Sequence, residues 1–156
     1  MKSRYFLSLL VFVLFSTVVF AQKISPDSLK VVQTLKELLT VCSSIDFLDP
    51  KVTQLGTFYK AAPYIVYRGD DKKRDWKAFA NYNNAAEKTG VDNVCYRINQ
   101  SVNADPEYKI IKYITKTESE GTWHVLIIAY KKKGLEKKAA FAFLKIGDRY
   151  GLGDID

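Results

Sequence analysis

The stretch from Tyr108 to Ile146, YKIIKYITKTESEGTWHVLIIAYKKKGLEKKAAFAFLKI, decides the fold. Three runs within it, Tyr108–Glu118, Trp123–Lys131 and Leu135–Ile146, are rich in the β-branched and aromatic residues that suit a pleated surface. The turn signals Ser119-Glu120-Gly121 and Lys133-Gly134 separate them, which predicts an antiparallel meander. After Gly147-Asp148, Arg149–Ile155 adds a last short strand. The run Val125-Leu126-Ile127-Ile128-Ala129 is apolar on both faces of its strand. A sheet with helices on one side does not need this, so the other face is expected to be covered by a second copy, giving a homodimer through the sheet.

Upstream, the periodicity changes from two to between three and four. Ser25-Pro26-Asp27 is a helix start, with Ser25 as N-cap and Pro26 where its missing N–H costs nothing. Leu29, Val32, Leu35, Leu38, Leu39 and Cys42 then form one stripe on a helix of about 18 residues. Asp49-Pro50 repeats the start signal for a short helix to about Ala61, which Pro63 stops. Tyr64–Tyr67 reads as a strand, Arg68–Arg74 as a polar turn and Trp76–Tyr82 as a weaker strand that pairs with the first. A third helix starts at Asn84 and carries Val91, Val94, Cys95, Ile98 and Val102, with Gly90 as a break or kink and Asp105-Pro106 as its end. The expected class is α+β: N-terminal helices packed on a curved, cone-like antiparallel sheet that ends in a long β-meander.

This element order, together with the closing segment Phe141–Leu152, resembles the cone-shaped superfamily of nuclear transport factor two-like and SnoaL-like proteins. The resemblance covers nearly all of Ser25–Asp156, and within it the chain looks like an exported member of unknown function. It implies a site inside the cone. No catalytic motif of the superfamily is matched residue for residue, so it implies no particular chemistry.

Residues 1–21 read as a signal peptide: Lys2 and Arg4 precede the apolar Phe6–Leu14, and Val19-Phe20-Ala21 offers a cleavage site. Residues 22–156 are then a single α+β domain, periplasmic or secreted, with no membrane span in the mature chain. Without residues 1–21, which hold two basic residues and no acidic one, the formal charge falls from +7 to +5. The excess gathers at Lys72-Lys73-Arg74, Lys131–Lys133 and Lys137-Lys138, on turns and strand ends. Such runs ordinarily solvate a face and guard strand edges. As a binding feature they would suit an anionic glycan or a lipid headgroup. Export and the lack of a groove-reading helix argue against nucleic acid. An apolar content of 47% excludes a disordered chain.

Cys42 and Cys95 are too few for a disulfide scaffold; both lie on helical stripes, so a single bridge and two buried thiols are both open. No cluster of His, Cys or acidic residues has metal-ligand spacing, and no cofactor is implied. Asn99-Gln100-Ser101 matches a glycosylation sequon, although on a helix. His124 is the single side chain that titrates near neutrality without help, which makes it the candidate acid–base residue of a cone-type isomerase or cyclase. Its bland reading is a half-exposed residue at a strand end. Tyr64, Tyr67, Trp76 and Tyr82 from the early strands, with Trp123, Ala140 and Ala142 from the late ones, are the candidate ligand-binding residues. Without a recognisable acid–base pair, the expected function is non-enzymatic: a binding module for a partner or a small apolar ligand.

Overall fold

The computed structural model describes residues 25–43, 57–67, 77–104 and 107–156. The leader, the start of the second helix, the turn 68–74, Trp76 and Asp105-Pro106 lie outside the described residues. Two helices, α1 (Pro26–Ser43) and α2 (Ala85–Asn99), pack against a sheet of four antiparallel strands, β1 (Lys109–Glu118), β2 (Gly121–Lys132), β3 (Leu135–Ile146) and β4 (Arg149–Ile155). Single turns of 3-10 helix cover Thr57–Lys60, Ala62–Tyr64 and Val102–Ala104. The architecture is therefore α+β, with the strands in sequential order β1-β2-β3-β4.

Local chemistry explains the boundaries. Ser25 Oγ accepts from Ser28 N–H at 3.1 Å, and Asn84 Oδ1 accepts from Ala86 and Glu87 N–H, so both helices begin on side-chain caps. Lys133 and Gly134 both have positive φ, 53° and 78°. That is the tight hairpin turn whose twist matches the strands, and it fixes the register of β2 on β3.

Register then decides which residues are core. His124 pairs with Phe143, Leu126 with Phe141 and Ile128 with Ala139, and this row faces the helices. Phe143 continues it to Leu152 on β4. Trp123, Val125 and Ile127 pair with Leu144, Ala142 and Ala140 on the outer face. There Val125, Ile127, Ala140 and Ala142 stay only half buried.

Three expectations need correction. The buried stripe of α1 is Val31, Leu35, Leu38, Leu39 and Cys42; Leu29 is 59% exposed and Val32 half buried. The helix has turned so that its phase fits the sheet rather than the widest count of apolar residues. Gly90 does not break α2, which runs continuously through it. Tyr64–Tyr67 and residues 77–80 supply single bridges rather than a hairpin of regular strands. Ile65 bridges β4 at Leu152 in parallel, and Val66 bridges Phe79 antiparallel.

Cys42 and Cys95 form a disulfide between α1 and α2, with Cα atoms 4.9 Å apart. Around it, Asn99 Nδ2 donates to Cys42 O at 2.6 Å and Asn103 Nδ2 to Leu39 O at 3.2 Å. These amides satisfy carbonyls that the end of α1 leaves open. The sequon asparagine is thus spent on holding the helix pair.

Two stability outcomes follow. The sulfurs close a loop with a sequence separation of 53, so replacing both cysteines by serine should cost about 4 kcal/mol in urea unfolding. An unchanged midpoint would remove the staple from the account. At Gly151 an added Cβ would sit 2.5 Å from Val66 Cγ2 and 2.9 Å from Phe79 Cε1. Gly151→Ala should therefore cost about 1–3 kcal/mol through overpacking, and a neutral result would mean that the 65–66 and 77–80 segments yield freely.

Candidate functional site

Two places on the helix-covered face of the sheet hold the chemistry. The first is a groove of about 240 Å³ between α2, β4 and the 65–67 segment. Ile65, Val66, Val91, Val94 and Leu152 make its apolar walls. Glu87 and Arg97 supply polar groups along the helix side. Glu87 is 2% exposed, and its Oε2 accepts the Asn81 N–H at 2.6 Å. Its place in the first turn of α2 suits a carboxylate there. Arg97 Nη2 donates to Ile155 O, which ties the far end of the groove to β4.

Gly90 lies on the same helix face as these residues. A glycine in a helix interior costs about 1 kcal/mol relative to alanine. Here it is neither at positive φ nor crowded: a Cβ added at Gly90 meets nothing within 4 Å. Packing does not require this glycine. Its effect is to leave the wall of the groove open.

The second place is a polar cluster under the N-terminus of α1. His124 is 2% exposed, not half exposed, and its Nδ1 lies 2.6 Å from the Tyr113 hydroxyl. The Tyr150 ring stands edge-on to it, with centroids 5.0 Å apart. Asp27 and Lys145 form an ion pair at 3.2 Å, more than a third exposed, and Lys145 also sits over the Tyr150 ring. The nearby Tyr150 hydroxyl, followed by Lys145, holds the Asp27 carboxyl below its usual range. Tyr150 falls short of hydrogen-bond geometry toward that carboxylate, and its hydroxyl and His124 Nε2 are buried without a partner among the described residues.

Burial pushes the His124 pKa down, with Lys145 acting the same way and Asp27 opposing. Burial also pushes the Tyr113 phenol up, so Tyr113 keeps its proton and can donate it. His124 is then neutral, accepts at Nδ1 and carries its own proton on Nε2, a tautomer assigned from that hydrogen bond.

The residues grouped as one ligand wall do not converge. Tyr67 lines the groove. Tyr64 lines a separate, more polar hollow with Lys30, Gln33, Glu37 and Tyr150. The Tyr82 hydroxyl donates to Asp92 Oδ1 at 2.8 Å, and burial first, then Asp92, pushes its pKa up. Trp123, Ala140 and Ala142 lie on the outer face, where Trp123 Nε1 donates to Glu120 Oε2 at 3.0 Å. Glu87, Gly90, Val94 and Arg97 were not anticipated. The one signal for them was the mid-helix glycine. No group of three or more His, Cys, Asp or Glu with metal-holding geometry exists among the described residues.

A pH outcome follows for the cluster. The folded-state pKa of His124 is depressed, so the unfolded chain takes up the proton first as pH falls. The stability this neutral histidine contributes is fully present above about pH 6.5 and is lost progressively below it. Thermal unfolding between about pH 7 and pH 5 should show a downward slope that His124→Gln flattens. An equal slope in the variant would assign that dependence to other groups.

Comparison of the chain with protein-family models, with curated proteins and with solved structures returned no match.

Proposed function

We propose that the domain is a non-enzymatic binding module that takes a small apolar ligand in the groove between α2 and β4. The observation that carries this reading is Gly90. A helix accepts the cost of an interior glycine at a point where no neighbour crowds the missing side chain, and that point is the groove wall. Apolar walls with a few polar groups at the margin are the usual make-up of a small-molecule site. Glu87 and Arg97 would orient the polar end of such a ligand.

The wider reading is an exported domain with a cone-like sheet, akin to the nuclear transport factor two-like superfamily. The bridges that Ile65 and Val66 add beyond β4 support the cone, because they add strand pairing at the β4 edge of the sheet. The apolar leader and the disulfide support export, since oxidising compartments preserve such bonds. The half-buried Val125, Ile127, Ala140 and Ala142 support pairing of two copies through the outer face.

One observation favours a second reading, acid–base catalysis at His124: the imidazole is buried, bonded to Tyr113 and near Asp27. Its Nε2 proton would be the group offered to a substrate. Turnover abolished by His124→Gln with the fold intact would favour catalysis over binding.

The groove is tested with an uncharged, polarity-sensitive dye such as N-phenylnaphthylamine. The wild-type protein and Gly90→Ala should bind it with saturating fluorescence, whereas Gly90→Leu, which fills the groove, should lose roughly tenfold or more in affinity. Both variants should melt no lower than wild type, because each removes an interior helix glycine. Equal binding by Gly90→Leu, or no binding by the wild type, would refute the groove.

A further inference from the structure

The hairpin joining β2 and β3 projects beyond the rest of the sheet. β1 begins at Lys109, opposite Ala129, while β2 continues to Lys132. The tip therefore overhangs β1 by three residues, about 10 Å of strand. Its turn is the tight one set by Lys133 and Gly134, so the overhang is a two-stranded finger.

The chemistry of this end is unlike that of the groove. Lys131, Lys132, Lys133 and Lys137 lie on the finger, with Lys138 and, on the adjoining start of β1, Lys109 and Lys112 at its base. Glu107 and Glu136 are the acidic residues in the same stretches. Among the lysines stand apolar side chains left exposed by the described residues: Leu135 is 64% exposed, Ile111 48% and Ile110 38%. Ile111 sits at the irregularity between Ile110 and Lys112, where the ladder to β2 slips by a residue. Lysines alone would be explained as guards of a strand edge. An exposed leucine at the tip is not explained that way, since a guarded, soluble tip gains nothing from it.

From this juxtaposition we infer that the β2–β3 finger, with the start of β1, is a docking surface for an anionic lipid bilayer. The lysines meet the negative headgroups, and Leu135 and Ile111 enter the interface between headgroups and acyl chains. A free anionic polysaccharide satisfies the lysines but offers Leu135 no apolar phase. That is why the bilayer is the better fit. No helix among the described residues is long and apolar enough to cross a membrane, and the finger requires only surface contact.

Co-sedimentation of the mature chain, residues 22–156, with vesicles tests this. The wild-type protein should pellet with phosphatidylcholine vesicles carrying roughly a quarter phosphatidylglycerol and not with phosphatidylcholine alone. Binding should fall steeply as salt rises to roughly 0.5 M. Lys132→Glu with Lys133→Glu should abolish it. Leu135→Asp should weaken it roughly tenfold at unchanged melting temperature, while Leu135→Trp should retain it, with a blue shift of fluorescence on vesicles. Three results would overturn the inference: no pelleting with anionic vesicles, equal binding by Leu135→Asp and wild type, or tighter binding to heparin than to the vesicles.

Discussion

The disulfide between Cys42 and Cys95 governs where the helices can lie. It joins the C-terminal part of α1 to the C-terminal half of α2, and Asn99 and Asn103 bond the α1 carbonyls beside it. One face of the sheet, the row His124, Leu126 and Ile128 with Phe141 and Phe143, has to be kept from water. A helix pair fastened at one end does this as a unit. Removing the bond would leave the helices to hold their place by packing and by these amide hydrogen bonds.

The same fastening leaves two different spaces near the ends of that layer. Toward β4, α2 presents a face with a glycine in its middle, and the apolar groove follows. Toward the other end, the N-terminus of α1 comes down on the sheet with Asp27, and the Asp27–Lys145 pair holds it beside His124, Tyr113 and Tyr150. The groove is lined mainly by apolar side chains. The cluster is built of proton-bearing groups in a buried setting, where burial first, aided by Lys145 and opposed by Asp27, keeps the histidine neutral. The lysine-bearing finger lies outside both and adds a surface property to a domain whose interior is apolar.

The strands were legible because their signals are local. The bounds expected for the third run, Leu135–Ile146, and for the final strand, Arg149–Ile155, match β3 and β4. Turn residues and β-branched runs mark such limits without reference to partners. The phase of α1 was not legible: Leu29, Val31 and Val32 are all apolar, and the sheet selected Val31. Which strand residues face the helices depended on the Lys133-Gly134 turn, since a one-residue slip exchanges the two faces. The surroundings of His124 were out of reach for a different reason. Tyr113 reaches it along the β1–β2 hairpin, Lys145 and Tyr150 are register partners on the β3–β4 hairpin, and Asp27 comes from α1, so their meeting depends on sheet register and on helix docking. Gly90 was visible but was read as a break, because an interior glycine weakens a helix and the open space beside it cannot be seen in sequence.

The central claim is that the groove beside Gly90 exists to be occupied. Native mass spectrometry of the protein recovered from its own compartment, without an extraction step that strips apolar molecules, addresses this most directly. The account predicts a population carrying one small molecule per chain, absent from Gly90→Leu prepared in the same way. A bare mass for the wild-type protein, or the same adduct on Gly90→Leu, would contradict it.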